Sequence, residues 1–143
     1  IHISTDVIVG YPEESEEDFQ ETYDLIKEIA PTTINVSKFW PRPKTPASKL
    51  KQLPPKIKQQ RATTTLKLHH EIQKQRNKSL QNNEVEVLVD QKGLENFPNT
   101  YLARDENYNL YAINAGKKIL GKKVKVKITR PTPFYLISKI QDK

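Results

Sequence analysis

Cysteine is absent from these 143 residues. That excludes disulfides, thiolate zinc sites, iron–sulfur ligation and cysteine nucleophiles within the chain. Methionine is absent too, so Ile1 is no translation start, and we read the chain as the C-terminal piece of a larger protein. Three histidines remain. His69 and His70 are neighbours on an expected helix and point about 100° apart, a poor metal pair, so both read as solvated surface residues and no metal site is expected. No apolar run approaches the roughly 18 residues of a membrane span. No internal repeat or low-complexity tract is visible, and no signal sequence either, although a chain read as lacking its N-terminus holds no place to look for one.

What is present is positive charge, unevenly spread. The net charge is +7. Residues 1–50 carry five basic and nine acidic side chains, net −4, and residues 51–143 carry 19 and eight, net +11. Basic excess of this kind favours a polyanionic partner, with plain solubility as the bland alternative.

The opening is the most structured stretch. Ile3, Val7, Ile8 and Val9 form a short β-branched run, as in a strand buried on both faces of a parallel sheet. Gly10 and Pro12 break it, and Ser15 with Asp18 forms a variant capping box. Residues 16–29 read as a helix with Phe19, Tyr23, Ile26 and Ala30 on one face. Its first-turn acids Glu16, Glu17 and Asp18 complement the helix dipole and are not expected to be catalytic. Ile34 to Trp40 reads as a second strand, so residues 1–40 form β–α–β with parallel strands. Pro41, Pro43 and Pro46 then make a stiff loop on the same rim as Gly10–Pro12.

Residues 55–80 read as a long, mostly solvated helix with seven basic residues (Lys56, Lys58, Arg61, Lys67, Lys74, Arg76, Lys78) against Glu71. From Glu84 the period changes to two. Five short strands over residues 84–140, separated by turn signals, suggest a small closed antiparallel barrel. Residues 116–130, GKKILGKKVKVKITR, hold seven positive side chains and no acid. Val124, Val126 and Ile128 should face inward and Lys125 and Lys127 outward. Such a face binds RNA through counterion release and stacking of unpaired bases. Of Tyr101, Tyr108, Tyr111, Phe134 and Tyr135, about two are expected to be exposed and the rest core.

The order of segments resembles the radical-SAM tRNA methylthiotransferases. Their T-D-hydrophobic-hydrophobic-V-G-F-P-G-E-T-E-E-D-F segment stands here as Thr5-Asp6-Val7-Ile8-Val9-Gly10-Tyr11-Pro12-Glu13-Glu14-Ser15-Glu16-Glu17-Asp18-Phe19. Their P-R-P-G-T-P-A loop stands as Pro41-Arg42-Pro43-Lys44-Thr45-Pro46-Ala47. Gln52-Leu53-Pro54-Pro55 then leads into a helix with Arg61, and Val124–Ile140, with Thr129, Thr132, Tyr135 and Leu136, resembles the last hairpin of a TRAM domain. Glu13 and Lys44 stand where the family usually has glycine, a residue suited to φ > 0, so the local backbone at both is open. The Phe39-Trp40-Pro41-Arg42-Pro43 form of the loop is closer to the archaeal and eukaryotic branch, which methylthiolates N6-threonylcarbamoyladenosine beside the anticodon.

The resemblance implies an α/β fold followed by an all-β one. Residues 1–54 would be the C-terminal part of a radical-SAM partial (β/α) barrel, 55–80 a connecting helix and 81–143 a TRAM RNA-binding domain. It implies that Gly10, Tyr11, Pro12, Glu14 and Arg42 line an S-adenosylmethionine site. It implies that Lys117, Lys118, Lys122, Lys123, Lys125, Lys127, Arg130 and Tyr135 hold the anticodon stem-loop of tRNA, with neither DNA nor membrane as partner. The parent enzyme would be a cytoplasmic transferase using S-adenosylmethionine and two 4Fe–4S clusters. The cluster cysteines are absent here, so this chain alone carries no catalytic residue and should be inactive. Two other readings stay open: a stand-alone TRAM-type RNA-binding protein, and a ribosomal or structural protein, which fits the charge but not the Gly10–Asp18 turn.

Overall fold

The opening β-branched run folds as strand β1 (Ser4–Val9), parallel to β2 (Thr33–Lys38) with Ser4 opposite Thr33 and Val9 opposite Lys38. Helix α1 (Glu16–Ile29) bridges them. The computed structural model describes residues 2–93 and 99–141. It divides into two compact units, His2–Ile72 and Gln73 onward.

In the first unit, Val9 packs against Phe19 and Ala62, with Val7 and Val36 beside them. The expectation that β1 is buried on both faces does not hold, because Ile8 is 61% exposed. A two-stranded sheet is covered on the side where Phe19 and Ala62 lie, and the alternation of side chains puts Ile8 on the other. The second strand is shorter than expected. Its last bond runs from the Phe39 N–H to the Val9 carbonyl, and Pro41 has no donor to extend it.

The start of α1 is capped as the sequence implies. The Ser15 hydroxyl accepts from the Asp18 N–H at 3.0 Å, and the Asp18 carboxylate accepts from the Ser15 N–H at 2.8 Å. The Ser15 N–H, and after it the Ser15 hydroxyl, which also donates to that carboxylate at 2.8 Å, hold the Asp18 carboxyl below its usual range. At the other end Ala30 is not part of the apolar face: it is the exposed C-cap, in the left-handed region with φ 48°.

Helix α2 runs from Pro55 to Ser79. It is not the mostly solvated rod that its composition suggests. Lys58, Arg61, Ala62, Thr65, Gln73 and Asn77 are buried, a helical stripe made almost entirely of polar side chains. His69 lies partly buried in the same register. Burial pushes its pKa down, outweighing its bonds to the Thr32 and Pro31 backbone, which raise it, so the surface reading holds for His70 and not for His69.

The second unit is a closed barrel of β3 (Glu84–Lys92), β4 (Thr100–Arg104), β5 (Leu110–Asn114), β6 (Lys123–Pro131) and β7 (Leu136–Ile140), in the order β3-β4-β5-β7-β6. Val87, Val89, Ala103, Tyr111, Ile113, Val126, Ile128 and Leu136 alternate inward to form its core, joined by Ile119. The barrel is mixed rather than antiparallel: β5 and β7 run parallel, Tyr111 opposite Leu136. The reason is parity. Five strands closed into a ring cannot alternate direction throughout, so one neighbouring pair must agree.

Glu13 and Lys44 both sit in the left-handed region, at φ 68° and 67°. A side chain there costs roughly 1–2 kcal/mol relative to the right-handed region. Glu13→Gly and Lys44→Gly are therefore expected to raise stability by up to about 1 kcal/mol each after glycine's extra chain entropy is charged. Lys44→Val should lower it. Urea unfolding of the three variants checks the order.

Candidate functional site

Two constellations emerge, one in each unit. In the first, the parallel pairing of β1 and β2 puts both strand ends on one rim, where the Tyr11 ring meets the Phe39 ring edge-on, 5.0 Å between centroids. Gly10 is buried with φ 77°, and its N–H donates to the Glu14 carboxylate at 2.9 Å. A Cβ on Gly10 would come within 2.6 Å of the Lys58 Cγ. The space glycine leaves is thus filled by the Lys58 stem, whose ammonium reaches the Phe39 carbonyl at 3.2 Å and lies over the Phe39 ring.

Glu14 is held from the far side by Arg61. The guanidinium binds the Glu14 carboxylate, the Glu14 carbonyl at 3.1 Å, the Ser15 carbonyl at 3.0 Å and the Glu16 carboxylate at 3.0 Å, and covers the Phe19 ring. Burial works against its charge, but Glu14 and Glu16 outweigh burial and raise the Arg61 pKa. Sequence reasoning treated Arg61 as a landmark only. The signal that could have found it is the Lys58–Arg61 spacing on the same helix face as Ala62 and Thr65.

Of the residues expected at a cofactor turn, Gly10, Pro12 and Glu14 are buried or partnered within the turn, while Tyr11 and Arg42 keep exposed surface. The carbonyl of Arg42 accepts from Thr45, which fixes the proline loop. Of this set, Tyr11 and Arg42 are the side chains open to a ligand at the rim. The chain has no cysteine, so its residues do not fit an iron–sulfur cluster.

In the barrel, Lys123, Lys125 and Lys127 form one row on β6, and across the ladder stand Leu88, Glu86 and Glu84. Lys123 lies 3.8 Å from Glu86. The row is therefore partly neutralised by β3, a point invisible in the basic run itself. On its other side Lys127 faces Lys139 of β7, a basic residue that the sequence reading did not single out. Lys117, Lys118 and Lys122 sit exposed on the β5–β6 connection. Arg130 lies at the far end of β6 and Tyr135 in the β6–β7 turn, so they are not part of the lysine row. Three of the five candidate rings are exposed, not two: Tyr108, Phe134 and Tyr135. Tyr101 and Tyr111 are core.

Residues 78–140 match the family model for the TRAM domain. Along almost its whole length the chain is similar to curated proteins. One is the tRNA-2-methylthio-N(6)-dimethylallyladenosine synthase of Thermosipho melanesiensis, 38% identical over 93% of this chain and 31% of that protein. Another, from Archaeoglobus fulgidus, carries the name "Probable threonylcarbamoyladenosine tRNA methylthiotransferase" and is 36% identical over 96% of this chain and 31% of its own. The human threonylcarbamoyladenosine tRNA methylthiotransferase is 32% identical over 90% of this chain and 21% of its own. The chain thus spans less than a third of the length of these relatives. Residues 78–140 form a TRAM domain, in a chain whose relatives bear the names of tRNA methylthiotransferases.

Proposed function

We propose that this chain is the C-terminal portion of a cytoplasmic radical-SAM tRNA methylthiotransferase, and that its TRAM barrel grips the anticodon stem-loop of tRNA. The observation that carries the reading is the similarity to methylthiotransferases along both units, together with a barrel whose acid-free segment 116–130 stands largely in solvent. Counterion release from the RNA backbone would supply affinity, and the base target would be positioned for chemistry that this chain does not perform. S-adenosylmethionine would supply the methyl group and, with the clusters held elsewhere, the radical. Here the Gly10–Glu14 turn would shape the rim and Tyr11 and Arg42 would offer the contacts. The Phe39-Trp40-Pro41-Arg42-Pro43 loop favours N6-threonylcarbamoyladenosine as the modified base.

Reversing Lys122, Lys123, Lys125 and Lys127 to Glu tests the grip. Affinity for tRNA should fall, and the slope of log affinity against log salt should flatten by about 0.7 for each single-strand phosphate that the protein no longer neutralises. Lys122, exposed on the β5–β6 connection outside the ladder, should contribute more than Lys125, which faces Glu86. An unchanged slope removes this row from the interface. A second reading, a stand-alone RNA-binding protein, predicts the same titration but no in-frame cysteine cluster upstream.

A further inference from the structure

The two turns that carry the exposed rings are at one end of the barrel. Because β5 and β7 run parallel with Tyr111 opposite Leu136, the segments entering these strands lie side by side. One is the β4–β5 turn with Tyr108, the other the β6–β7 turn with Phe134 and Tyr135. Consecutive residues of α2 fasten both: the Arg76 guanidinium donates to the Asn109 side chain at 3.0 Å, and the Asn77 amide donates to the Thr132 carbonyl at 2.7 Å.

Each turn is also braced from within. Asp105 accepts from the Asn107 and Asn109 N–H groups, both at 2.9 Å. The Thr132 hydroxyl lies within bonding distance of the Phe134 N–H, the Tyr135 N–H and the Tyr135 carbonyl. These rigid turns nevertheless present large apolar surface. Tyr108 is 69% exposed, Phe134 66% and Tyr135 38%. Tyr108 moreover holds φ 60°, a region where Asn or Gly sits at lower cost.

We propose that Tyr108, Phe134 and Tyr135 form a preorganised platform on which unpaired bases of RNA stack. The proposal rests on the RNA-binding reading and specifies its ligand as single-stranded RNA with its bases splayed, not a duplex. Aromatic faces accept any base, so the platform contributes affinity without demanding sequence. Arg76 and Arg130 at this end favour an anion, against Asp105 and Glu106 in the same turn and Glu86 and Asp90, which line one cleft with Tyr108, Arg104 and Lys123. The lysines of the β5–β6 connection lie beyond the other end of β5. The strand would then run from a phosphate-gripping end to a base-stacking end of one barrel.

The test uses the whole chain with three probes: a 12-nucleotide single-stranded oligoadenylate, an abasic ribose-phosphate oligomer of equal length, and a duplex of equal length. The single strand with bases should bind about tenfold or more tightly than the abasic one. Tyr108→Asn, which keeps a residue tolerant of φ > 0, and Phe134→Ala should each weaken it about five- to tenfold with an unchanged salt slope. Tyr108→Trp should restore binding. Equal affinity for the base-bearing and abasic strands, or ring variants that bind like the parent, overturns the platform while leaving the RNA reading in place. Failure to bind any of the three probes overturns the RNA reading and the platform with it. A ring variant that changes the sedimenting mass of the free chain, without changing RNA affinity, assigns the rings to self-association and overturns the platform too.

Discussion

Arg61→Ala is expected to destabilise the His2–Ile72 unit by about 3–5 kcal/mol, the scale for removing one partner of a buried ion pair. Four acceptors lose the guanidinium at once: the Glu14 carboxylate and carbonyl, the Ser15 carbonyl, which keeps the Phe19 N–H, and the Glu16 carboxylate. They do not weigh equally. Glu16 is 78% exposed, so water replaces its partner at little cost. Glu14 is 13% exposed and keeps only the Gly10 N–H, so its charge is stranded. The Phe19 ring also loses the guanidinium above it. Arg61→Lys should recover only part, since one ammonium cannot reproduce the fork that spans Glu14, Ser15 and Glu16. In the double variant Arg61→Ala with Glu14→Gln the loss should be well below the sum of the two singles, because the stranded charge is gone. Hydrogen exchange of the Gly10–Phe19 amides reads the effect locally. Additive losses in that cycle, or a total under about 1 kcal/mol, would show that Arg61 is not what holds the turn.

Most of the element order was legible in the sequence, and the reasons are local. The β-branched run, the Ser15–Asp18 box and the alternation Val124-Val126-Ile128 each report a short-range rule, and each appears where it should. The misses concern what local patterns do not encode. The buried stripe Lys58-Arg61-Thr65-Gln73-Asn77 has perfect helical spacing, yet hydropathy is blind to it because the side chains are polar and their partners, such as Glu14 and Thr132, lie dozens of residues away. The opposition of Lys125 and Lys127 to Glu86 and Glu84 needs a register that connects strands some forty residues apart. The parallel β5–β7 pair is different. That some neighbouring pair runs parallel follows from counting, since an odd closed ring cannot alternate, but that the pair is β5–β7 needs the order of strands around the ring. Without that order the convergence of Tyr108 with Phe134 and Tyr135 stays hidden. The open backbone at Glu13 and Lys44 was readable only by comparison with glycines in similar proteins, and both residues do adopt positive φ.

Asp105→Ala should cost the barrel about 3 kcal/mol, the second large effect, because one carboxylate serves four donors. Its oxygens accept the Asn107 and Asn109 N–H groups, the Asn109 amide at 2.8 Å and the Tyr111 phenol at 2.8 Å. Alanine leaves the phenol of a core residue without its acceptor and frees the turn that carries Tyr108. Tyr111→Phe removes one of the four bonds and should cost about 1 kcal/mol, which separates the phenol's share from the turn's. Alkaline titration supplies an independent readout. Burial, and then Asp105, hold the Tyr111 phenol un-ionised above its ordinary value. The folded pKa is raised, so this contribution is complete below about pH 10 and is lost as pH climbs beyond it, where the unfolded chain ionises first. Tyr111→Phe should therefore flatten the alkaline fall in stability. Asp105→Asn, which keeps the shape without the charge, should shrink the fall and end it at lower pH, with its onset unchanged. If the same variant also relaxes Tyr108 and weakens oligoadenylate binding without unfolding the barrel, one carboxylate links the core to the RNA-facing turn. Retained stability in Asp105→Ala would instead mean that the β4–β5 turn is held by Arg76 and the strands alone.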